Sequence, residues 1–162
     1  MPMSSFDDAF TALVGNEGGY SNNKADPGGE TMWGVTARVA RANGYTGAMR
    51  DLPQATAKEI AKRVYWDPLS LDQFNPIIAF QMFDANYNGG QTVRWAQQAS
   101  GATVDGKFGP NTIAAIQGTN PQTFVLRFLA YRLKYLNGLK TWPTFGRGWT
   151  NRIADNLLKG AT

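Results

Sequence analysis

Three glycines crowd one glutamate near the start of this chain, and that crowding limits what can form there. The stretch reads Val14-Gly15-Asn16-Glu17-Gly18-Gly19-Tyr20. Before it, Phe6, Phe10, Leu13 and Val14 recur at helical spacing, and Ser5 with Asp8 matches a capping box. Gly15, Gly18 and Gly19 oppose further helix, so the spacing predicts a helix that ends near Glu17. A carboxylate at a helix C-terminus faces the negative end of the dipole, which disfavours its ionised form, and apolar neighbours would raise its pKa further. Such a group suits general acid catalysis near neutral pH; the competing reading is an ordinary solvated glutamate.

A glycine-rich loop follows, with Asp26-Pro27-Gly28-Gly29-Glu30-Thr31-Met32-Trp33-Gly34-Val35-Thr36. Asp26 to Gly29 is turn chemistry, and Thr31, Trp33 and Val35 alternate as in a short strand. A hairpin beside a helix end would bring Asp26 and Thr31 opposite Glu17. Paired carboxylates are the machinery of glycoside hydrolysis, one protonating the leaving oxygen while the other activates water or stabilises the cation. The competing reading of Asp26 is a turn residue before proline.

Composition narrows the chemistry. The chain has 162 residues with no histidine and no cysteine. A Ser-His-Asp or Cys-His hydrolase is therefore excluded, as is a zinc site ligated by His or Cys. No cofactor or metal is expected. Among the three glutamates, Glu59 follows Thr56 as the second half of a capping box and Glu30 lies in the hairpin loop, expected exposed. Elimination leaves Glu17 as the acid.

These residues carry a resemblance. Glu17-Gly18-Gly19-Tyr20 followed by Asp26-x-Gly28-Gly29-x-Thr31-x-x-Gly34-Val35-Thr36 closely resembles glycoside hydrolase family 108. Its members are lysozyme-like N-acetylmuramidases found among phage endolysins and bacterial secretion-associated lysins. The resemblance spans nearly the whole chain, because the second half is similar to the predicted peptidoglycan-binding region that accompanies the family. It implies a mainly α, lysozyme-like helical domain with a small β-hairpin next to the catalytic helix. It further implies cleavage of peptidoglycan between N-acetylmuramic acid and N-acetylglucosamine, leading to bacterial lysis. A more distant similarity to phage-type lysozymes implies a Glu-Asp-Thr triad. The eight residues between Glu17 and Asp26 match that pattern, while the four between Asp26 and Thr31 are one short, which keeps Thr36 beside Thr31 as the assisting threonine. A lytic transglycosylase using the same glutamate, or a non-catalytic wall-binding protein, are the alternatives.

Further along, Thr36 to Asn43 is expected as a short helix stopped by Gly44, and Thr56 to Tyr65 as a second, after a loop over 44–55. Pro76 opens a run to Tyr87 that is apolar almost all round, predicting the buried centre of the domain. Asp84 inside it needs partners. Asn86, Tyr87, Asn88 and Gln91 are candidate sugar-binding residues, or else a polar helix cap. Tyr20, Trp33 and Trp66 are candidate sugar-stacking residues, or else core. Thr92 to Ser100 is another helix. Asp105-Gly106-Lys107-Phe108-Gly109-Pro110 then resembles the loop of small peptidoglycan-binding modules, or is a corner fixing Phe108 in the core. Residues Ile113 to Gln117 hold no Lys or Arg, so nucleic-acid binding is not expected. Pro121 to Gly138 is expected to be the longest helix. Trp142 to Gly146 reads as a loop, and Arg147 to Lys159 as the last helix, with Arg152 and Lys159 outside its apolar stripe.

The organisation expected is a catalytic region over 1–88 and a peptidoglycan-binding-like region over 89–162, packed as one monomeric unit. Charge is uneven. Residues 127–162 carry seven basic side chains against Asp155 alone, which suits a polyanion such as an anionic wall or outer-membrane surface, with nucleic acid the less favoured alternative, or is simply a solvated basic face. No signal peptide and no run of roughly 18 apolar residues is visible. Synthesis in the bacterial cytoplasm is expected, with release through a holin or a secretion system.

Overall fold

In the computed structural model, residues 6–14, 18–22 and 29–161 are described. The contacts divide the chain into two compact units, the first ending at Ser70 and the second beginning at Leu71. The division falls ahead of the helix that opens at Pro76, whereas the expected functional boundary lay after it.

The first unit begins with α1 (Phe6–Val14), whose Phe6, Ala9, Phe10, Leu13 and Val14 are buried. This is the spacing of one helical face. A three-stranded antiparallel sheet follows, β1 (Ser21–Asn22), β2 (Glu30–Met32) and β3 (Val35–Thr36), in sequential order. Its hairpin differs from the strand expected through Trp33. Met32 pairs with Val35, so Trp33 and Gly34 form the two-residue turn. Both have positive φ, 52° and 75°, as the favoured tight hairpin turn requires. Period-2 alternation cannot distinguish a strand residue from a turn residue when the turn carries a tryptophan.

Helix α2 (Ala37–Ala42) is capped as expected, with Thr36 Oγ1 accepting from Val39 N at 3.2 Å. Helix α3 (Gln54–Ala61) starts earlier than expected, after Pro53. Thr56 is therefore inside the helix and Thr56–Glu59 is no capping box. The helix continues through a π-helical turn, Lys62–Trp66, and a 3₁₀ turn, Asp67–Leu69. Ala57, Ile60, Ala61 and Trp66 add to the buried surface of this unit with Val35, Ala40, Met49, Leu52 and Leu69.

The second unit is organised around α4 (Pro76–Tyr87), in which every residue from Ile78 to Ala85 is buried. Asn75 caps it, Oδ1 accepting from Ile77 N at 3.0 Å, and Pro76 occupies the first turn, where its missing N–H costs nothing. Helix α4 packs against α5 (Thr92–Ser100), α7 (Pro121–Asn137) and α8 (Trp142–Gly160). Helix α6 (Pro110–Gln117) lies on α5. Phe83, Phe124 and Phe128 are fully buried, each contributing about 1.5–3 kcal/mol relative to exposure.

The longest described helix is α8, not α7, because the expected loop at Trp142 to Gly146 is helical. Pro143 sits in the first turn, where proline is tolerated. Gly146 is buried under the Trp142 ring, where a Cβ would stand 2.6 Å from a ring carbon. Trp142 and Phe145 both contact Trp149, at ring-centroid distances of 5.9 and 5.7 Å. Aromatic packing thus overrides the local breaker signal of Pro143 and Gly146.

Asp84 is the polar centre of this unit. Arg132 Nη1 donates to Oδ2 at 2.6 Å, Arg152 Nη1 to Oδ1 at 3.0 Å and Asn156 Nδ2 to Oδ2 at 2.8 Å. Gln81 Nε2 in turn donates to the Asn156 carbonyl at 3.0 Å. Arg152 therefore turns inward rather than outside the stripe. Lys159 does likewise, its Nζ 4.8 Å from the centre of the Phe80 ring. Arg132 is buried as well, so Arg132, Arg152 and Lys159 all help to pack the unit.

The Asp105–Thr112 loop has a comparable internal hub. Gln97 is fully buried, its Nε2 donating to Asp105 Oδ1 (2.8 Å), the Lys107 carbonyl (3.0 Å) and Thr112 Oγ1 (3.1 Å), while its Oε1 accepts from Gly106 N at 3.0 Å. Hydrogen bonds from Lys107 N and Gln97 hold the Asp105 carboxyl below its usual pKa. Phe108 is half-buried, edge-on to Phe74 at 6.3 Å. The loop therefore acts as a corner between α5 and α6.

Candidate active site

The sheet of the first unit gathers most of the residues singled out there. In β2, Thr31 pairs with Ser21 on one side and Thr36 on the other. Residues directly opposite one another share a face of a sheet, so three hydroxyl side chains form a row across it. Thr36 has a second task, capping α2. Glu17 and Asp26 lie outside the described residues, as do Ser5 and the Asp26–Gly28 part of the turn.

Tyr20 and Trp33 stand at the same sheet. The Tyr20 hydroxyl donates to Glu30 Oε2 at 2.6 Å, and the Arg50 guanidinium carbon lies 4.7 Å from the centre of its ring. Glu30 is half-buried in β2, a correction to its expected exposure in a loop. Its engagement follows from the register, which sets Asn22 opposite Glu30 just after Tyr20. Arg50 arrives from the 3₁₀ turn Met49–Asp51. No sequence signal marked it, because the contact depends on how the turn folds back.

Trp33 is held in three ways. Its indole N–H donates to the Leu52 carbonyl at 3.0 Å, its backbone N–H donates to the Gly18 carbonyl at 3.3 Å, and its ring covers Gly18. A Cβ on Gly18 would stand 2.7 and 2.8 Å from two ring carbons. Gly18→Ala is therefore expected to destabilise the protein by about 1–3 kcal/mol, as overpacking typically does. Urea denaturation measures this, and an unchanged midpoint would show that the ring swings aside freely.

Trp66 does not fit the stacking role. It is 3 % exposed, its ring edge-on to Phe6 at 5.5 Å, so it belongs to the core and presents no face to a sugar. Asn86, Tyr87, Asn88 and Gln91 belong to the second unit, at the end of α4 and the start of α5. Asn88 caps α4, its backbone N–H and its Nδ2 both reaching the Asp84 carbonyl, the latter at 2.7 Å. Tyr87 is half-buried, edge-on to Phe83 at 5.6 Å, Asn86 is half-buried and Gln91 is exposed. Among the described residues, no group of three or more Asp and Glu is placed to hold a metal ion.

Comparison with known proteins adds the family. The model for glycosyl hydrolase 108 matches residues 10–90, a span holding every candidate site residue except Gln91. The chain belongs to the glycosyl hydrolase 108 family. It is accordingly a glycoside hydrolase, with a glycan as substrate. A solved structure of SagA from Brucella abortus is similar over 96 % of this chain and 93 % of that one, with 27 % identity and a TM-score of 0.87. A comparison with the curated proteins gives no match. The glycosyl hydrolase 108 assignment and this likeness agree with the mainly helical, lysozyme-like fold and its small sheet.

Proposed function

We propose that this glycoside hydrolase cleaves the glycan strand of peptidoglycan between N-acetylmuramic acid and N-acetylglucosamine. The observation that carries the reading is the family match over residues 10–90, which includes Glu17, Asp26 and Thr31 together. Glu17 protonates the glycosidic oxygen as it leaves. Asp26 positions the attacking water or stabilises the oxocarbenium-like state. Thr31 assists it from the centre of the hydroxyl row. Thr36 is less suited, because its Oγ1 already accepts the capping bond of α2.

No helix of the described residues is long and apolar enough to cross a membrane. We place the protein's action at the cell wall, reached from the cytoplasm through a holin pore or a secretion system, with bacterial lysis as the outcome. It works as a monomer in this reading. The contribution of the C-terminal third to wall binding falls to Arg127, Lys134, Lys140 and Arg147, which are exposed.

Mass spectrometry of soluble fragments from purified sacculi tests the proposal. Reducing N-acetylmuramic acid ends are expected. Anhydro ends would make the protein a lytic transglycosylase, and sacculi that stay intact where a known lysozyme digests them would leave a binding protein.

A further inference from the structure

Two glycines give a poor hold on a catalytic side chain. Gly18 and Gly19 follow Glu17 directly, and glycine restrains its own backbone less than any other residue. The structure supplies restraint from outside. Gly18 lies under the Trp33 ring and its carbonyl accepts from Trp33 N. Ser21 and Asn22 pair with β2. Between these points, Tyr20 donates its hydroxyl to Glu30.

Trp33 holds this position in a left-handed backbone conformation, φ 52°. Such a conformation costs on the order of 1–3 kcal/mol in a residue other than glycine, and persists only where surrounding contacts enforce it. Here the Leu52 carbonyl and the Gly18 surface do so. The Tyr20–Glu30 bond has an ionisable acceptor, and charge-assisted bonds are roughly twice as strong as neutral ones. Arg50 covers one face of the Tyr20 ring and fixes its plane. That face is then closed to a sugar, which leaves only the opposite face of Tyr20 for stacking.

We propose that Tyr20 and Glu30 are a positioning pair, tying the segment that follows Glu17 to the strand that carries Thr31. This rests on the muramidase reading above. Glu30 and Thr31 are neighbours in β2, so one bond relates the chain on the acid's side to the chain on the threonine's side. Misplacement of a reacting group by about 1 Å is enough to cost on the order of a hundredfold in rate. Neither side chain needs to touch substrate for this effect.

The test compares wild type with Tyr20→Phe, Glu30→Ala and Glu30→Gln. Steady-state cleavage of soluble peptidoglycan glycan strands gives kcat and KM, thermal unfolding gives stability, and hydrogen exchange follows the amides of residues 18–22. Tyr20→Phe keeps the ring under Arg50 but has no hydroxyl. It is expected to lower kcat roughly tenfold or more with KM changed by less than about twofold, and to speed exchange at residues 18–22. Glu30→Ala should match it. Glu30→Gln keeps an acceptor oxygen and should recover most of the rate, and both Glu30 variants leave the ring and Arg50 in place should Tyr20→Phe fold poorly. Unchanged kcat with a lowered melting temperature would reduce the pair to a structural role and overturn the proposal. Raised KM with intact kcat would make it a substrate contact and overturn it also. An active wild type equalled by all three variants removes the pair and leaves the muramidase reading standing, whereas an inactive wild type removes both.

Discussion

Glu17→Gln is expected to lower turnover on sacculi by roughly 10²–10⁴-fold, the range a positioned general acid contributes. The amide keeps the size of the carboxyl and can still hydrogen-bond, but it has no acidic proton for a departing sugar oxygen. Binding to sacculi and thermal stability are expected to stay at wild-type levels, so the loss should appear in kcat with KM nearly unchanged. Only Glu30 and Glu59 remain as other glutamates. Glu30 accepts a hydrogen bond from Tyr20 and Glu59 is exposed on α3, so neither is a ready substitute acid. Fragment release by the variant at more than about a tenth of the wild-type rate would remove Glu17 from the acid role.

Asp84→Ala is expected to destabilise the fold by about 3–5 kcal/mol, the usual cost of breaking a buried ion pair from one side. The reason is the group left behind. Arg132 is 4 % exposed at its side chain and has its guanidinium against Asp84, so the variant buries a cation without its partner. Such a loss is a large share of the roughly 5–15 kcal/mol that stabilises a typical domain. Adding Arg132→Met should recover part of it, because a buried pair replaced by apolar groups is often near neutral. Urea denaturation of both variants tests this, and a cost under about 1 kcal/mol for Asp84→Ala would show that water reaches the site.

The same network sets an acid dependence. Burial alone would raise the Asp84 pKa, but the charges of Arg132 and Arg152, with hydrogen bonds from Arg132 and Asn156, outweigh it and hold the carboxyl below its usual value of 3.8. A depressed folded-state pKa means that the stabilisation is fully present above the unfolded value and is lost as pH falls from 3.8 through the lower folded value. Stability measured against pH should therefore fall in that acid window, and Asp84→Asn should flatten the fall while lowering stability at neutral pH.

Local signals carried much of the architecture. Helices α4 and α7 begin at Asn75-Pro76 and Asn120-Pro121 because an amide cap and a first-turn proline act within a few residues. Helix α5 has its predicted bounds, Thr92–Ser100, and Thr36 caps α2 as its position suggested. The apolar run after Pro76 marked the buried helix, and the lone Asp84 within it marked a group in need of partners. The family motif around Glu17, Asp26 and Thr31 was equally legible, since it is a matter of residue type and spacing along the chain.

Other features depended on contacts that no local pattern encodes. Trp33 could be a strand residue or a turn residue until Gly18 and Leu52 closed around it. Pro143 and Gly146 signal a loop locally, yet the ring of Trp142 lying on Gly146 makes that stretch helical. Trp66 carried the composition of a sugar site but meets Phe6 in the core. Arg132 and Arg152 reach Asp84 from 48 and 68 residues away, and Arg50 reaches Tyr20 from a separate turn. The sequence by itself determined where α4, α5 and α7 begin, which faces are apolar and that no histidine or cysteine chemistry is available, because caps, periodicity and side-chain type act over a few residues. Tertiary structure alone decided which tryptophan is core, which arginine is buried and which glutamate is tied to a tyrosine, because those outcomes depend on desolvation and packing between segments far apart in the chain.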